Sequence, residues 1–510
     1  MAQVIRLQFQ TDGEGILRRW LQNPFIDDRY TGKTRYGRGI VPTGLKGERL
    51  LMKHAHVKKP NTTARDMTSG PILPQMVFFA LPLLIGNIFQ LLYNTVDTLV
   101  VGNFVSTEAL AAVGSTSVII NIIVFFFNGL SVGASVVIGQ RYGARDFKKL
   151  HTAVETTIFV TLLASAIFTV IGVLLVRPML AFMSTPTDVV PEATVYLRIY
   201  FAGISGLLIY NMGSGILRAV GDSTRPLYFL VLSSILNIVL DLFFVIVLHL
   251  GIAGVAYATI LSQFISAVLV LALLTRTEDI YKLVWRDLRM DATTFRMILA
   301  IGFPTAVQST ITAFSNVFVQ SYVNVFGSSC MAGWSCYNKL DQFIFLPMQS
   351  MSVAATTFVS QNIGAGQEKR AKKGTKDVVL LAVGITFVIS LILVIFAPQA
   401  SAIFTDDGGV IRYATLFMRM NTFFLIANCI NHVLAGALRG RGDSRGPMIC
   451  MIACFVVLRQ IYLFTATRLV ANTEVVVGLG YPVGWVACCL SELTYYYVRY
   501  LKPSSAEPGK

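Results

Sequence analysis

The chain has 510 residues, of which 54% are hydrophobic and only 14% are charged. A soluble protein of this length would carry about 25% charged residues, so the composition excludes an ordinary soluble enzyme and indicates a polytopic membrane protein. The net charge of +15 does not indicate nucleic-acid binding, because the basic residues form short clusters between apolar runs, as cytoplasmic loops do.

Residues 1–66 are polar and basic and contain no apolar run long enough to span a bilayer. They also lack the signal-peptide pattern of a charged start, an apolar centre and a small-residue cleavage site. We therefore expect a cytoplasmic extension without fixed structure.

Twelve apolar segments follow, each close to or above the roughly 20 residues that a helix needs to cross the hydrocarbon. The sequence therefore predicts an all-α integral membrane protein with twelve transmembrane helices. The predicted segments are 72–103, 110–140, 152–176, 194–217, 227–249, 252–274, 295–326, 331–361, 378–396, 413–438, 448–467 and 475–498.

The distribution of Lys and Arg predicts the orientation of these spans. Every even-numbered connection carries two or more basic residues, whereas the odd-numbered connections carry only Arg177, Arg412 and Arg468. Basic loops stay on the cytoplasmic side, so both termini are expected to be cytoplasmic.

The chain also repeats itself at a displacement of 221 residues. GLSVGASVVIGQRYGARDFKK matches SMSVAATTFVSQNIGAGQEKR, which places Gln140 opposite Gln361, and LRAVGDSTRP matches LRGRGDSRGP at the same displacement. Six spans per repeat give both halves the same orientation, so we expect two parallel-repeat lobes around a central cavity, an architecture of transporters. The expected boundaries are 67–275 for the N-lobe, 276–292 for a cytoplasmic linker, 293–501 for the C-lobe and 502–510 for a cytoplasmic tail.

Three polar residues of the N-lobe are predicted to lie at one depth. Counted from the outer ends of the spans at 1.5 Å per residue, Asp97, Asp241 and Thr259 sit roughly 9–12 Å below the outer surface. Tyr93 and Asn237 each precede an acid by four residues and so share its helix face.

Carboxylates inside a membrane span are costly and normally face a cavity or a partner. Two of them with an amide and a hydroxyl offer hard oxygen ligands for Na⁺, and two neighbouring acids equally favour binding of a proton. The alternative is that each acid is satisfied by an adjacent donor and only packs helices. For Thr259, a hydrogen bond to its own helix backbone is an equal alternative.

The second lobe carries different charges. Lys339 and Asp341 lie on the eighth span and Arg459 on the eleventh, with Asp341 and Arg459 both near mid-membrane. A structural ion pair and a role in the cavity are equally compatible with this placement.

No HExxH, Walker A or dinucleotide-binding glycine motif occurs in the sequence. We therefore expect a protein that is not an enzyme, that needs no cofactor, and that holds no metal beyond Na⁺ at the coupling site. Transport is not expected to be driven by an ATPase site on this chain.

Several separated motifs resemble the multidrug and toxic compound extrusion (MATE) family, part of a larger group that includes lipid-linked oligosaccharide flippases. They are DMTSGPILPQMVFFALPLL with YNTVD, the paired Q-x-x-G-A and LRxxGDSxxP turns, and NIVLD. The resemblance covers residue 66 to about residue 501 and points to the DNA-damage-inducible prokaryotic branch. It implies a coupling-ion site at Asp97, Asn237, Asp241 and Thr259. Acids used by other branches on spans seven and ten are absent here.

The resemblance also places Tyr93 and Asn211 on positions that line the substrate cavity, and we expect Asn94 to line it with them. It implies an antiporter that exports amphipathic or cationic compounds in exchange for H⁺ or Na⁺. The alternative is a flippase for lipid-linked intermediates, which would line its cavity with Arg or Lys for a pyrophosphate headgroup. Either protein is expected to be monomeric, to sit in the plasma membrane of a prokaryote and to bind no nucleic acid.

Overall fold

The computed structural model describes residues 65–183 and 185–502, and these residues form an all-helical bundle. Eleven helices are long and apolar enough to cross a membrane, and a bent pair of helices makes up to twelve spans. We label them α1 to α12 in chain order. They are Ile72–Phe104, Thr107–Gly143, Phe147–Phe182, the pair Val190–Ala202 and Ile204–Ala219, Thr224–Val247, Gly251–Arg276, Ala292–Phe326, Ser328–Gly364, Glu368–Ile395, Gly408–Gly440, Arg445–Leu469 and Glu474–Leu501.

Side-chain caps fix where several of these helices begin. Ser106 accepts a hydrogen bond from the backbone N–H of Ala109 at the start of α2, and Asp291 accepts one from Thr294 at the start of α7. Such caps satisfy backbone donors that the first helical turn leaves unpaired. The ends of the spans are therefore set by local chemistry as well as by hydrophobicity.

The fourth span differs from the single helix that the sequence predicts for 194–217. Its two pieces meet at Gly203 and are bent by 47°. A side chain at Gly203 would collide with Ile260, so the absence of a Cβ lets the bend pack closely on α6. The bend lies in the lobe that carries the two predicted coupling acids.

Hydrogen bonds inside the lobes repeat at the displacement seen in the sequence. The Ser131 hydroxyl donates to the carbonyl oxygen of Asn211 over 2.8 Å, and the Ser352 hydroxyl donates to that of His432 over 2.6 Å. The glycines of the paired turns, Gly221 and Gly442, both have positive φ, at 88° and 86°. Both halves thus fold into the same six-helix unit.

The lobes join through a reciprocal contact that we call the seam, formed by Gln140, Gln361, Ala219 and Gly440. Gln140 Nε2 donates to the carbonyl oxygen of Gly440 over 3.1 Å, and Gln361 Nε2 donates to that of Ala219 over 2.8 Å. In the repeat, Gln140 is equivalent to Gln361 and Ala219 to Gly440, so the two bonds are the same contact made in both directions. Such a reciprocal contact is typical of a two-fold relation between the lobes. The seam lies at the end of the bundle that carries the basic loops, which we call the basic end.

Residues 65–70 enter the same junction. The backbone N–H of Met67 donates to Gln361 Oε1 over 3.0 Å, and its carbonyl oxygen accepts from Asn362 and Arg370. The Met67 side chain is completely buried. The rest of the predicted extension, residues 1–64, and the tail from residue 503 lie outside the described residues.

All described hydrogen bonds between the lobes lie in the basic half of the bundle. The one nearest the middle joins Asn87 to Ser350 over 3.4 Å, about 22 Å along α1 from its start. In the described part of the chain, the lobes are thus fastened at the basic end.

Candidate functional site

The site predicted in the N-lobe forms where α1 and α5 pack together. Asp97 lies seven residues before the end of α1 and Asp241 six before the end of α5, so both sit about 10 Å from the end opposite the basic loops. The two carboxyl groups are close enough to interact electrostatically, and Asp241 is completely buried. The two acids thus lie at similar distances from the ends of their helices, and their role as a coupling-ion site remains a prediction.

The polar atoms of this site lack partners in the described part of the chain. Asp97 Oδ1, both carboxylate oxygens of Asp241 and both side-chain polar atoms of Asn237 are enclosed without a hydrogen bond. No Lys or Arg lies within ion-pair distance of either acid among the described residues. Buried polar atoms of this kind are normally satisfied by water, an ion or a proton.

Thr259 reaches the same level from the antiparallel helix α6. The Ser233 hydroxyl donates to the carbonyl oxygen of Ser262 over 3.0 Å, and this contact sets the register of α5 against α6. Four residues further along α5, Asn237 then lies level with Thr259. The Thr259 hydroxyl donates to the carbonyl oxygen of Val255 over 3.0 Å, so only its lone pairs remain for a ligand.

Tyrosines surround the acids, and the sequence predicted only one of them. Tyr93 lies beside Asp97, while Tyr196 on α4 interacts with Tyr93 and both acids. Tyr200, one turn further, stacks on Tyr196 with ring centroids 6.3 Å apart. Their spacing of four residues on one helix face was the available signal, but tyrosine alone does not indicate an ion site.

The other two predicted cavity residues occupy different environments. Asn94 is exposed on α1, on the turn between Tyr93 and Asp97. Asn211 is half-buried on α4, where its backbone carbonyl receives the Ser131 hydroxyl. Both remain predictions as substrate contacts.

The structure contradicts the ion pair between Asp341 and Arg459 that was one of two interpretations of the C-lobe charges. Arg459 is buried, donates to Ser315 Oγ over 2.6 Å and to Asn316 Oδ1 over 3.0 Å, and lies 5.0 Å above the Tyr481 ring. No ion pair with Asp341 occurs among the described residues. Asp341 and Arg459 were predicted to lie at the same depth, but their side chains do not face each other.

Lys339 and Asp341 also point to different surroundings. Lys339 is exposed and its ammonium lies 5.6 Å from the centroid of the Phe404 ring. Asp341 is half-buried near Tyr337, with Oδ1 enclosed and unpaired. Residues two apart on a helix face different sides, so these two do not form one site.

Within the described residues, no group of three or more His, Cys, Asp or Glu side chains could hold a metal ion. The two N-lobe acids with Asn237 could instead hold a monovalent cation or a shared proton, since two close carboxylates resist being ionised together.

Comparisons with known proteins agree with this architecture. The model of the MatE family matches residues 82–243 and 303–465. The probable multidrug resistance protein YpnP of Bacillus subtilis (strain 168) is 30% identical over 438 residues, which cover 86% of this chain and 98% of that protein. The multidrug export protein MepA of Staphylococcus haemolyticus is 22% identical over 409 residues, 80% of this chain and 90% of that protein.

Two solved structures share the fold. A multidrug resistance MATE family transporter in an outward-facing conformation superposes with a TM-score of 0.81 at 23% identity, over 86% of this chain and 98% of that one. A MOP superfamily transporter from Pyrococcus furiosus, described as having a binding pocket of reverse polarity that suggests a different function, gives 0.81 at 24% identity over the same shares.

Proposed function

Because this chain belongs to the MatE family of membrane transporters, we propose that it is a secondary antiporter of the drug-extrusion type. It exports amphipathic or cationic compounds, and the inward flow of H⁺ or Na⁺ through the N-lobe site drives the export. The pair Asp97 and Asp241 carries this proposal, because these two interacting carboxylates have no cationic partner in the described part of the chain.

The unpaired atoms explain how an ion could bias the conformation. When the site is empty, the two negative charges repel each other and favour a hydrated, open arrangement of α1, α5 and α6. When a proton or Na⁺ binds, one charge is neutralised and the helices can approach. Pro82 removes a backbone hydrogen bond within α1 and gives that helix a place to bend.

The state of the bundle supports the direction of transport. The seam closes the basic end, and positive loops favour the cytoplasmic side of a membrane. With both termini in the cytoplasm, the lobes are closed inward and the acids can receive an ion from outside. Binding of that ion promotes release of a cationic substrate held near Tyr93 and Asn211.

The lining of the N-lobe favours an exporter over a flippase. Arg198 lies on α4 between Tyr196 and Tyr200 in sequence, but it is exposed while both tyrosines are buried. Its guanidinium therefore lies on the opposite face from the acids and cannot bind a pyrophosphate beside them.

Efflux of a cationic dye from everted vesicles tests this function. We expect dye movement to be driven by an imposed ΔpH or ΔpNa and to stop when that gradient is collapsed. Transport of the dye that is indifferent to both gradients would refute ion-coupled antiport. Dependence on one gradient alone identifies the coupling ion.

A further inference from the structure

A second charged cavity lies at the basic end, far from the coupling acids. It has a volume of about 710 Å³ and lies between the first turns of α3 and the linker that joins the lobes. Asp97 is 25 residues from the start of α1, which places it roughly 35 Å away along the bundle. The cavity is therefore separate from the proposed transport site.

Charges of both signs line this cavity, and Glu155 interacts electrostatically with Asp287, Arg289 and His151. Lys148, Arg286 and Arg289 supply positive charge and Glu155 and Asp287 supply negative charge. None of these five side chains forms an ion pair within 4.0 Å of another charged group in the part of the chain that the structure describes. The cavity thus presents both signs to a ligand.

The charges are also layered. Glu155 is only 6% exposed and makes no hydrogen bond among the described residues, whereas Lys148, Arg286, Asp287 and Arg289 are exposed. A buried acid below a rim of three bases and one acid matches a ligand that carries an ammonium and a phosphate a few ångströms apart. The ammonium can donate to Glu155 and Asp287, and guanidinium groups bind phosphate oxygens in a bidentate manner.

Apolar side chains beside the cavity point to a membrane lipid as the source of this headgroup. Phe147, Trp285 and Met290 neighbour cavity residues in sequence and are all exposed. Trp285 Nε1 donates to Thr275 Oγ1 over 3.0 Å, which fixes its ring at the end of α6. Tryptophan with other apolar residues and basic groups is typical of the boundary between lipid and water.

We propose that this cavity binds the headgroup of an aminophospholipid of the phosphatidylethanolamine type. Its phosphate contacts Arg286 and Arg289, and its primary ammonium contacts Glu155. The lipid then ties α3 of the N-lobe to the linker, next to the bond of 3.1 Å that the Asp291 backbone N–H donates to Thr156 Oγ1.

The test measures thermal stabilisation of the full chain in detergent by titrated lipids with identical acyl chains. Phosphatidylethanolamine should stabilise the protein at about a tenfold lower mole fraction than phosphatidylcholine, because a trimethylated ammonium cannot donate a hydrogen bond to a carboxylate. Equal stabilisation by both lipids would refute the proposal. A stronger effect of phosphatidylglycerol than of phosphatidylethanolamine would refute the role of Glu155.

Substitutions test the ammonium contact and the phosphate contacts of the headgroup separately. Glu155→Gln should abolish the preference for phosphatidylethanolamine over phosphatidylcholine, and Arg286→Ala with Arg289→Ala should weaken both phosphatidylethanolamine and phosphatidylglycerol. Glu278→Gln, an exposed change in the same linker outside the cavity, should leave the preference intact. If Glu155→Gln does not fold, the arginine variants decide the question, since an unaltered lipid preference in them contradicts the assignment.

Water-soluble phosphoethanolamine separates the two possible sources of the headgroup. We expect it not to compete with the lipid at millimolar concentration, because it cannot contact the apolar side chains beside the cavity. Full competition would overturn the lipid assignment in favour of a soluble zwitterion.

Discussion

The two lobes share a fold but differ at the level where the N-lobe places its acids. The first span repeats at 222 residues, as Asn94 and Asn316 show, and the fifth at 221, so Asp97 and Asp241 correspond to Val319 and Tyr462. The N-lobe therefore holds two carboxylates where the C-lobe holds an apolar and an aromatic side chain. The two halves thus share a helical framework, but at this level the paired carboxylates occur in the N-lobe alone.

The polar groups of the two lobes also differ in how they are satisfied. Asp241 and Asn237 make no side-chain hydrogen bond among the described residues, whereas Arg459 donates to Ser315 and Asn316 and lies over Tyr481, with only its Nε left unpaired. Neighbouring carboxylates without a cationic partner favour binding of a proton or cation, whereas a hydrogen-bonded guanidinium fixes the packing around it. We therefore expect changes in the N-lobe to affect coupling and changes around Arg459 to affect stability.

The largest effect is expected from Asp97→Asn and Asp241→Asn. Each change removes a charge that only the coupling ion compensates, so gradient-driven efflux should fall to the background of vesicles without the protein. Expression and thermal stability should stay near wild type, because the amide relieves the repulsion between the acids. Wild-type efflux by either variant would remove the N-lobe site from the mechanism.

Asp341→Asn is the matched control in the other lobe. It makes the same chemical change at a half-buried position on α8, away from the acid pair. We expect efflux to keep its dependence on the ion gradient. Loss of that dependence would show that coupling is divided between the lobes.

Arg459→Ala should affect stability more than coupling. Charged hydrogen bonds contribute about 1.5–3 kcal/mol each, so losing those to Ser315 and Asn316 should destabilise the protein by about 3 kcal/mol. The measurement is the thermal unfolding of purified protein beside the ion dependence of residual transport. Arg459→Met should recover part of the loss through apolar packing. A stable Arg459→Ala variant without ion dependence would contradict the structural role.

A smaller effect is expected at the junction of the lobes from Gly143→Ala. A Cβ at this position would overlap the backbone carbonyl of Gln361, and the equivalent Gly364 meets that of Gln140 in the same way. Overpacking of this kind costs about 1–3 kcal/mol, which should increase the fraction of molecules open at the basic end about tenfold.

Distances between spin labels across the basic end would measure this opening. Gly384→Ala is the control, because nothing lies within 4 Å of a Cβ there. Unchanged spin-label distances in Gly143→Ala would contradict this prediction, because the junction would then accommodate the added methyl group without separation of the lobes.

The smallest effect is expected from Thr259→Val. The Thr259 hydroxyl already donates to the Val255 carbonyl oxygen, so its removal should weaken ion activation only about two- to fivefold. The measurement is the ion concentration that gives half-maximal efflux. Complete loss of transport, as in Asp97→Asn, would instead make Thr259 an obligatory ligand.

Sequence alone predicted the number of spans and the depth of the acids, because hydrophobic length and rise per residue determine both. It placed the ninth span at 378–396, whereas α9 begins at Glu368. The early turns of α9 carry Lys372, Lys373 and Lys376 and extend the helix beyond the apolar region. Hydropathy cannot detect such a polar extension.

The direction in which a side chain points around its helix axis was less predictable than its position along the helix. Counting residues placed Asp341 level with Arg459, but the side chains turn to different neighbours. The same limit concealed Tyr196 and Tyr200, whose spacing suits either a lipid-facing or a site-facing surface. Only packed neighbours distinguish these faces.

The seam has a consequence for how the two halves of the chain meet. Gln140 bonds Gly440 as Gln361 bonds Ala219, so each half presents the same donor and the same acceptor to the other. This is the isologous contact that two identical subunits form around a two-fold axis. At this contact the two halves of one chain therefore meet as two copies of a subunit would, while Met67 adds bonds to Gln361, Asn362 and Arg370 only.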